Sequence, residues 1–203
     1  MGKSFDPDLV VFSEVYPKGE KYNESPFVAH NHPIGRGYLG QCHLVNSISG
    51  GDNEYFFIAY KSQRASVTCT PLPAFDGGRC ALGIEVYKKD VSGKTFNYPF
   101  KVIAVHGPNN GRKEAWLSHY LQFLGQKTMP YDLLFGDTNI KRWIQPVPGA
   151  HEVTPINDTI DRAWAAESLY KKRSSEVKSY FLDHQKSDKK LSDHQPLVVH
   201  LNK

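Results

Sequence analysis

The chain alternates short apolar runs with polar, turn-forming stretches, and this pattern predicts a protein built mainly from β-strands. The predicted strands lie at 9–12, 55–60, 80–87, 100–105, 133–135, 163–165 and 197–201. No helical periodicity separates the runs between 54 and 105. Because consecutive strands without a helical crossover pair most readily as hairpins, we expect part of the sheet to be antiparallel.

One segment has the spacing of an amphipathic helix. Residues 113–124 carry apolar side chains three or four positions apart, and Gly125 follows as a typical stop signal. Trp116 belongs to this apolar stripe, so we expect it in the core. Strands that outnumber helices, with the helices packed outside, indicate an α+β sandwich.

Composition indicates a folded domain. The chain has 203 residues, of which 39% are hydrophobic and 23% charged, which excludes a disordered tail. It contains no repeat or low-complexity linker, so we predict one domain over 1–203 and a monomer. No run approaches the roughly 18 apolar residues of a membrane span, so we expect no membrane partner. Three cysteines without CxxC spacing, and no visible signal peptide, favour an intracellular location, cytoplasmic or nuclear.

The net charge of +4 is concentrated in one segment. Residues 171–190 contain seven basic and three acidic side chains, so the rest of the chain is neutral as a whole. Such a patch attracts nucleic-acid phosphates, but a solvated surface has the same composition.

Polar groups stand at the ends of the predicted strands. They are Glu14, His106, Asp137, Asn139, Asp161, Asp193 and His194. Groups at strand ends converge at one rim of a sheet, and carboxylates, an amide and imidazoles there suit a hard divalent cation and an anionic substrate. Each segment alone has a structural interpretation: Gly-Asp-Thr-Asn at 136–139 could be an Asx turn, and Ser-Asp-His at 192–194 could be a surface loop.

The order of these segments resembles the endonuclease/exonuclease/phosphatase superfamily, the DNase I-like enzymes. DLVVFSEV at 8–15 is similar to the strand whose glutamate binds metal, and VIAVH at 102–106 to a strand that ends in histidine. LLFGDTN at 133–139, IDR at 160–162 and SDHQP at 192–196 match the remaining motifs. The resemblance spans almost the entire chain, from Asp8 to Leu201.

The resemblance implies a fold and a metal. The fold is a four-layer α/β/β/α sandwich of two mixed β-sheets. The activity is hydrolysis of phosphodiester bonds with Mg²⁺ or Mn²⁺, which Glu14 and Asp193 would hold.

The resemblance also implies catalytic roles. Asp137 would deprotonate the attacking water, and Asn139 would hold that water or a phosphoryl oxygen. His194 would donate to the phosphoryl oxygen while Asp161 holds its other ring nitrogen. His106 would face the phosphate from the opposite side.

The expected substrate is nucleic acid, with DNA favoured over RNA. Asn109 follows a Gly-Pro pair in a position similar to a family substrate contact, and Arg79 and Trp143 are further candidates for binding. Arg79 has an equally good structural interpretation. Two alternatives stay open: a phosphatase for a small or lipid phosphate, and a catalytically impaired binding module. The second arises because family members begin with a strand ending in asparagine, whereas only 13 residues precede Glu14 here.

Overall fold

The computed structural model describes residues 7–13, 32–35, 37–45, 54–75, 79–109, 111–126, 128, 130–141, 144–154, 160–173, 177–181 and 197–201. The chain divides into two compact units, 1–101 and 102–203, which are described separately. The prediction of a single domain over 1–203 stays a prediction. Among the described residues, no helix is long and apolar enough to cross a membrane.

The first unit contains an antiparallel sheet in the order β1-β4-β3-β2 and an antiparallel pair of β5 with β6. The strands are β1 (Leu9–Ser13), β2 (His32–Gly35), β3 (Tyr38–Val45), β4 (Glu54–Lys61), β5 (Ala65–Pro71) and β6 (Leu82–Lys88). The apolar run of β4 is buried on both faces, with Phe56 and Ala59 at 1% and 4% exposure. Apolar and polar residues do not alternate in this run, because β4 is a central strand of the sheet.

The second unit is built on a mixed sheet in which β7, β8, β10 and β9 are hydrogen-bonded neighbours in that order. The strands are β7 (Phe100–His106), β8 (Leu133–Asp137), β9 (Ala150–Glu152) and β10 (Asp161–Ala166). β7 and β8 are parallel, whereas β10 runs antiparallel to β8 and to β9. β11 (Val177–Phe181) and β12 (Leu197–Leu201) form a separate antiparallel pair.

Helix α1 (Lys113–Leu121) makes the connection that the parallel pair β7 and β8 requires. It buries Trp116, Leu117, Tyr120 and Leu121, which confirms the predicted apolar stripe and the core position of Trp116. The helix ends three residues before the predicted limit. Leu124 lies in a bridge to Tyr131 instead, because Gly125 adopts a positive φ of 78° and turns the chain there.

All seven predicted strands are present, and the first unit has no helix between Glu54 and Lys101 among its described residues. Strands outnumber the two helices described, α1 and α2 (Glu167–Arg173), which confirms the α+β class.

Candidate active site

Three of the predicted catalytic residues lie in one row across three neighbouring strands of the second unit. The parallel register of β7 and β8 places His106 beside Asp137. The antiparallel register of β8 and β10 places Asp161 on the other side of Asp137. Because directly opposed residues of neighbouring strands point to the same face of a sheet, these side chains share one face.

His106 and Asp137 form a nearly dry pair. Their exposed fractions are 3% and 8%, and 3.8 Å separates His106 Nε2 from Asp137 Oδ2. This separation is too long for a hydrogen bond, so the contact is an electrostatic one that gains strength when the imidazole is protonated.

Asn139 is fixed in a left-handed conformation beside Asp137. Its φ is +55°, a region that asparagine tolerates better than most residues. Its backbone N–H donates to Asp137 Oδ1 at 2.7 Å, and its side-chain Nδ2 donates to the Gly107 carbonyl oxygen at 2.7 Å. The Asx-turn interpretation of Gly-Asp-Thr-Asn is therefore correct as local structure. In this turn Asp137 Oδ1 accepts a hydrogen bond and the side-chain Nδ2 of Asn139 donates one. Asp137 Oδ2 is thereby directed toward His106.

Backbone hydrogen bonds connect the ends of the three strands. Gly107 N donates to Asp137 O at 2.7 Å, and Thr138 N donates to Ile160 O at 2.8 Å. The Thr138 hydroxyl donates to the same Ile160 carbonyl at 2.9 Å, and Thr138 has no exposed surface. The spacing of the row is consequently set by the main chain and by a buried threonine next to Asp137.

Two glycines are required for this close approach. A Cβ added to Gly136, whose φ is +142°, would overlap the Val105 carbonyl oxygen. A Cβ added to Gly107 would overlap the Thr138 carbonyl oxygen. The glycine of the Gly-Asp-Thr-Asn motif is thus demanded by packing as well as by backbone conformation.

A lysine that no sequence motif indicates also contacts the site. Lys113, the first residue of α1, donates from Nζ to the Asn139 carbonyl oxygen at 2.6 Å. It is a positioning contact, because it binds the main chain of the turn that carries Asp137 and Asn139. Its signal in the sequence was only its place at the start of a predicted helix.

A buried ion pair behind the row was also missed. Arg162 follows Asp161 in β10 and is 4% exposed. Its Nε and Nη2 each donate to the Glu152 carboxylate at 2.7 Å. The quoted Ile-Asp-Arg motif contains the arginine, but nothing in the sequence singles out Glu152.

The other predicted site residues divide into two groups. Glu14, Trp143, Asp193 and His194 lie outside the described residues, and their roles stay predictions. Asn109 is exposed in the second unit, and Arg79 is half-buried in the first. The remaining tryptophan, Trp164, is 4% exposed in β10 and is therefore a core residue.

The described residues fit a hard divalent cation by donor chemistry alone. Asp137, Asp161 and Asn139 offer the carboxylate and amide oxygens that Mg²⁺ prefers. Within the ranges described, no group of three or more His, Cys, Asp or Glu side chains is arranged to hold a metal ion. The metal ligands expected from the sequence, Glu14 and Asp193, lie outside those ranges, and their assignment stays a prediction.

Comparison with known proteins identifies the fold. No family model and no curated protein sequence matches the chain. The crystal structure of humanized D. rerio TDP2, with 14 mutations, is similar with a TM-score of 0.58 and 16% identity, over 97% of this chain and 85% of that chain. CdtB, the biologically active subunit of cytolethal distending toxin, has a TM-score of 0.53 and 15% identity, over 83% of this chain and 70% of that chain.

A third structure, the cytolethal distending toxin of Haemophilus ducreyi, has a TM-score of 0.53 and 12% identity, over 97% of this chain and 86% of that chain. TDP2 and CdtB have the DNase I-like endonuclease/exonuclease/phosphatase fold. Their similarity extends over most of this chain, and its antiparallel and mixed sheets with few helices agree with that architecture. The chain therefore has a DNase I-like fold.

Proposed function

We propose that the protein is a divalent-metal-dependent phosphodiesterase that cleaves nucleic acid, with DNA as its substrate. The observation that carries the proposal is the row of His106, Asp137 and Asp161, with Asn139 fixed beside it. A buried imidazole and two carboxylates on one sheet face, with an oriented amide in the adjoining turn, are groups that can catalyse phosphodiester hydrolysis.

Asp137 is the proposed general base. Its Oδ1 accepts the Asn139 N–H, which fixes the carboxylate plane and directs Oδ2 away from the turn. A water molecule bound between Asp137 Oδ2 and Asn139 Oδ1 would be aligned for attack and would lose its proton to Asp137. Asn139 can hold this water because its Nδ2 already donates to Gly107, which orients the amide with its oxygen away from that carbonyl.

The imidazoles complement the negative charge that develops on the phosphoryl oxygens. His106 Nε2 lies 3.8 Å from Asp137 Oδ2 and is the proposed donor on this side of the phosphate. His194, supported by Asp161, is the proposed donor from the other side of the phosphate. When bound, Mg²⁺ or Mn²⁺ at Glu14 and Asp193 would neutralise the phosphate and stabilise the leaving oxygen.

The charge distribution supports a polyanionic substrate. The chain carries a net charge of +4, concentrated in residues 171–190. Lys171 of α2 is highly exposed, with 71% of its side chain accessible, although it also pairs with Glu167 at 2.7 Å. A cationic segment of this composition attracts phosphates along a nucleic-acid backbone.

The proposal is tested by cleavage assays on plasmid DNA, abasic duplex, RNA and bis-nitrophenyl phosphate, with Mg²⁺ or Mn²⁺ and an EDTA control. We expect metal-dependent cleavage of DNA. Asp137→Asn should lower kcat by about 100- to 10,000-fold, because the amide retains the shape of the carboxylate but cannot accept the proton. Asp8→Asn is the matched control, since Asp8 forms an exposed ion pair with Arg64.

Different outcomes discriminate between the alternatives. Cleavage of bis-nitrophenyl phosphate without cleavage of any nucleic acid would favour the small-phosphate phosphatase. No metal-dependent cleavage of any substrate by the wild type would contradict the proposal and favour a binding module.

A further inference from the structure

Exposed apolar side chains concentrate in one short hairpin of the first unit, residues 88–98, which follows β6. Four large hydrophobic side chains are exposed among the described residues, and three of them lie here. Val91 is fully exposed, and Phe96 and Tyr98 have exposed fractions of 51% and 90%. Because apolar side chains clustered on a surface cost solvation free energy, such a patch commonly marks an interaction site.

The 88–98 hairpin is ordered by its own hydrogen bonds. Phe96 N donates to Lys88 O at 2.8 Å, and Asp90 N donates to Lys94 O at 3.0 Å. At the tip, Asp90 Oδ1 accepts from Ser92 N at 2.9 Å, Ser92 Oγ at 2.6 Å and Lys94 N at 3.0 Å. The hydrogen bond from the Ser92 hydroxyl, followed by those from backbone N–H groups, lowers the pKa of Asp90.

The base of the hairpin is tied to the rest of the unit. Lys89 donates from Nζ to the Ser62 carbonyl oxygen at 2.8 Å. The exposed apolar groups are therefore presented on a preformed support, which reduces the entropy lost when a ligand binds.

Lys88 and Lys94 lie on the same face of the hairpin as Phe96, together with Asp90, whose carboxylate accepts the hydrogen bonds at the tip. Lys89 and Thr95 are partners in an antiparallel β-bridge. The pairs on either side of this bridge are Lys88 with Phe96 and Asp90 with Lys94. Because side chains alternate along a strand, these four point to the face opposite that of Lys89 and Thr95. Lys88 and Lys94 are both exposed. An exposed aromatic ring that shares a face with two lysines is a combination that can bind an unpaired base together with its flanking phosphates.

We propose that the 88–98 hairpin binds single-stranded nucleic acid, with bases stacked on Phe96 and Tyr98 and phosphates on Lys88 and Lys94. This inference rests on the proposed function for its choice of substrate and extends it with a second contact surface. A lipid surface fits less well, because the Asp90 carboxylate stands beside Val91 at the tip and would have to enter the bilayer boundary with it. Duplex DNA fits less well too, because its bases are already stacked and cannot lie on the rings.

The test measures binding in EDTA, so that it is independent of cleavage. The probes are a fluorescein-labelled oligothymidylate about 12 nucleotides long and the matched duplex, and binding is followed by fluorescence anisotropy. The double variant Phe96→Ala with Tyr98→Ala should weaken oligothymidylate binding by about tenfold or more and change duplex binding by less than about twofold. Phe12→Ala is the matched control, since Phe12 is also 51% exposed but lies in β1.

The lysines are tested by the salt dependence of the same binding. Lys88→Gln with Lys94→Gln should reduce the slope of log affinity against log salt by about 0.7 for each phosphate that the variant no longer neutralises. Oligothymidylate affinity unchanged in both double variants would overturn the proposal. Loss of binding to phosphatidylcholine–phosphatidylserine vesicles in the aromatic variant, with oligothymidylate binding retained, would overturn it in favour of a lipid surface. A wild type that binds oligothymidylate but cleaves nothing would contradict the proposed function and leave this inference standing.

Discussion

Asp137 uses its two carboxylate oxygens for different purposes. Oδ1 accepts the Asn139 N–H and closes the turn, whereas Oδ2 faces His106 and is the oxygen proposed for chemistry. Replacement by alanine would therefore remove a turn hydrogen bond and a base together, and its effect on turnover could not be separated from its effect on the fold. Replacement by asparagine can preserve the first role while removing the second, which is why it is the informative variant.

Lys113 is expected to act as a positioning residue. Its ammonium donates to the Asn139 carbonyl oxygen, and Asn139 in turn binds Asp137 Oδ1. Lys113→Met should lower kcat by about 10- to 100-fold with little change in KM, because a small displacement of the base disturbs attack more than substrate binding. Lys113→Arg should recover part of the missing turnover, since the guanidinium can still donate. Steady-state kinetics at 25 °C measure both.

A purely structural role for Lys113 would give a different result. Losing a charged hydrogen bond costs about 1.5–3 kcal/mol of stability, so the melting temperature of Lys113→Met falls in either case. A lower melting temperature with wild-type kcat would show that the lysine does not position the turn.

At the scale of elements, the sequence predicted the strands whose apolar character is continuous. Phe100–His106 and Leu133–Asp137 are examples, because central strands bury both faces and read as uninterrupted apolar runs. Tyr38–Val45 was missed, since Gly40, Gln41 and His43 interrupt the run. Gln41 is nevertheless 6% exposed, because tertiary contacts bury a polar residue that no local pattern marks as internal.

The candidate site was likewise predicted only in part. Motif order selected His106, Asp137, Asn139 and Asp161 as candidates, and strand register places three of them in one row, while their catalytic roles stay predictions. The contact from Lys113 could not be predicted, because it joins residues 26 positions apart through the packing of a helix. Spacing along a chain carries no information on such contacts.

The ion pair of Arg162 and Glu152 should stabilise the pairing of β9 with β10. Arg162 is almost fully buried, whereas 32% of the Glu152 side chain is accessible. Glu152→Gln leaves a buried guanidinium without its counter-charge and should lower the free energy of unfolding by about 1–3 kcal/mol. The double variant Glu152→Gln with Arg162→Met should recover part of this stability, because no unpaired charge remains. Urea denaturation measures the effect, and additive losses would contradict the coupling.

At the scale of the whole molecule, the excess positive charge predicts salt-sensitive DNA binding. Replacing Lys171, Lys172 and Arg173 by glutamine should reduce the slope of log affinity against log salt by about 0.9 for each duplex phosphate that the variant no longer neutralises. Lys171 should contribute least, because Glu167 already neutralises it at 2.7 Å. Anisotropy titrations of duplex DNA at several salt concentrations provide the slopes. Equal slopes for wild type and variant would assign the segment to a solvated surface.

The glycine at position 136 limits which substitutions the protein can accept there. In a library that encodes every amino acid at this codon, selection for folded protein should retain glycine alone, because even a methyl group meets the Val105 carbonyl. Gly111 provides the contrast within the same unit, since nothing lies within 4 Å of a Cβ added there. Position 111 should accept many different amino acids in the same selection. Enrichment of alanine or serine at position 136 would show that β7 and β8 can separate at that point and still fold.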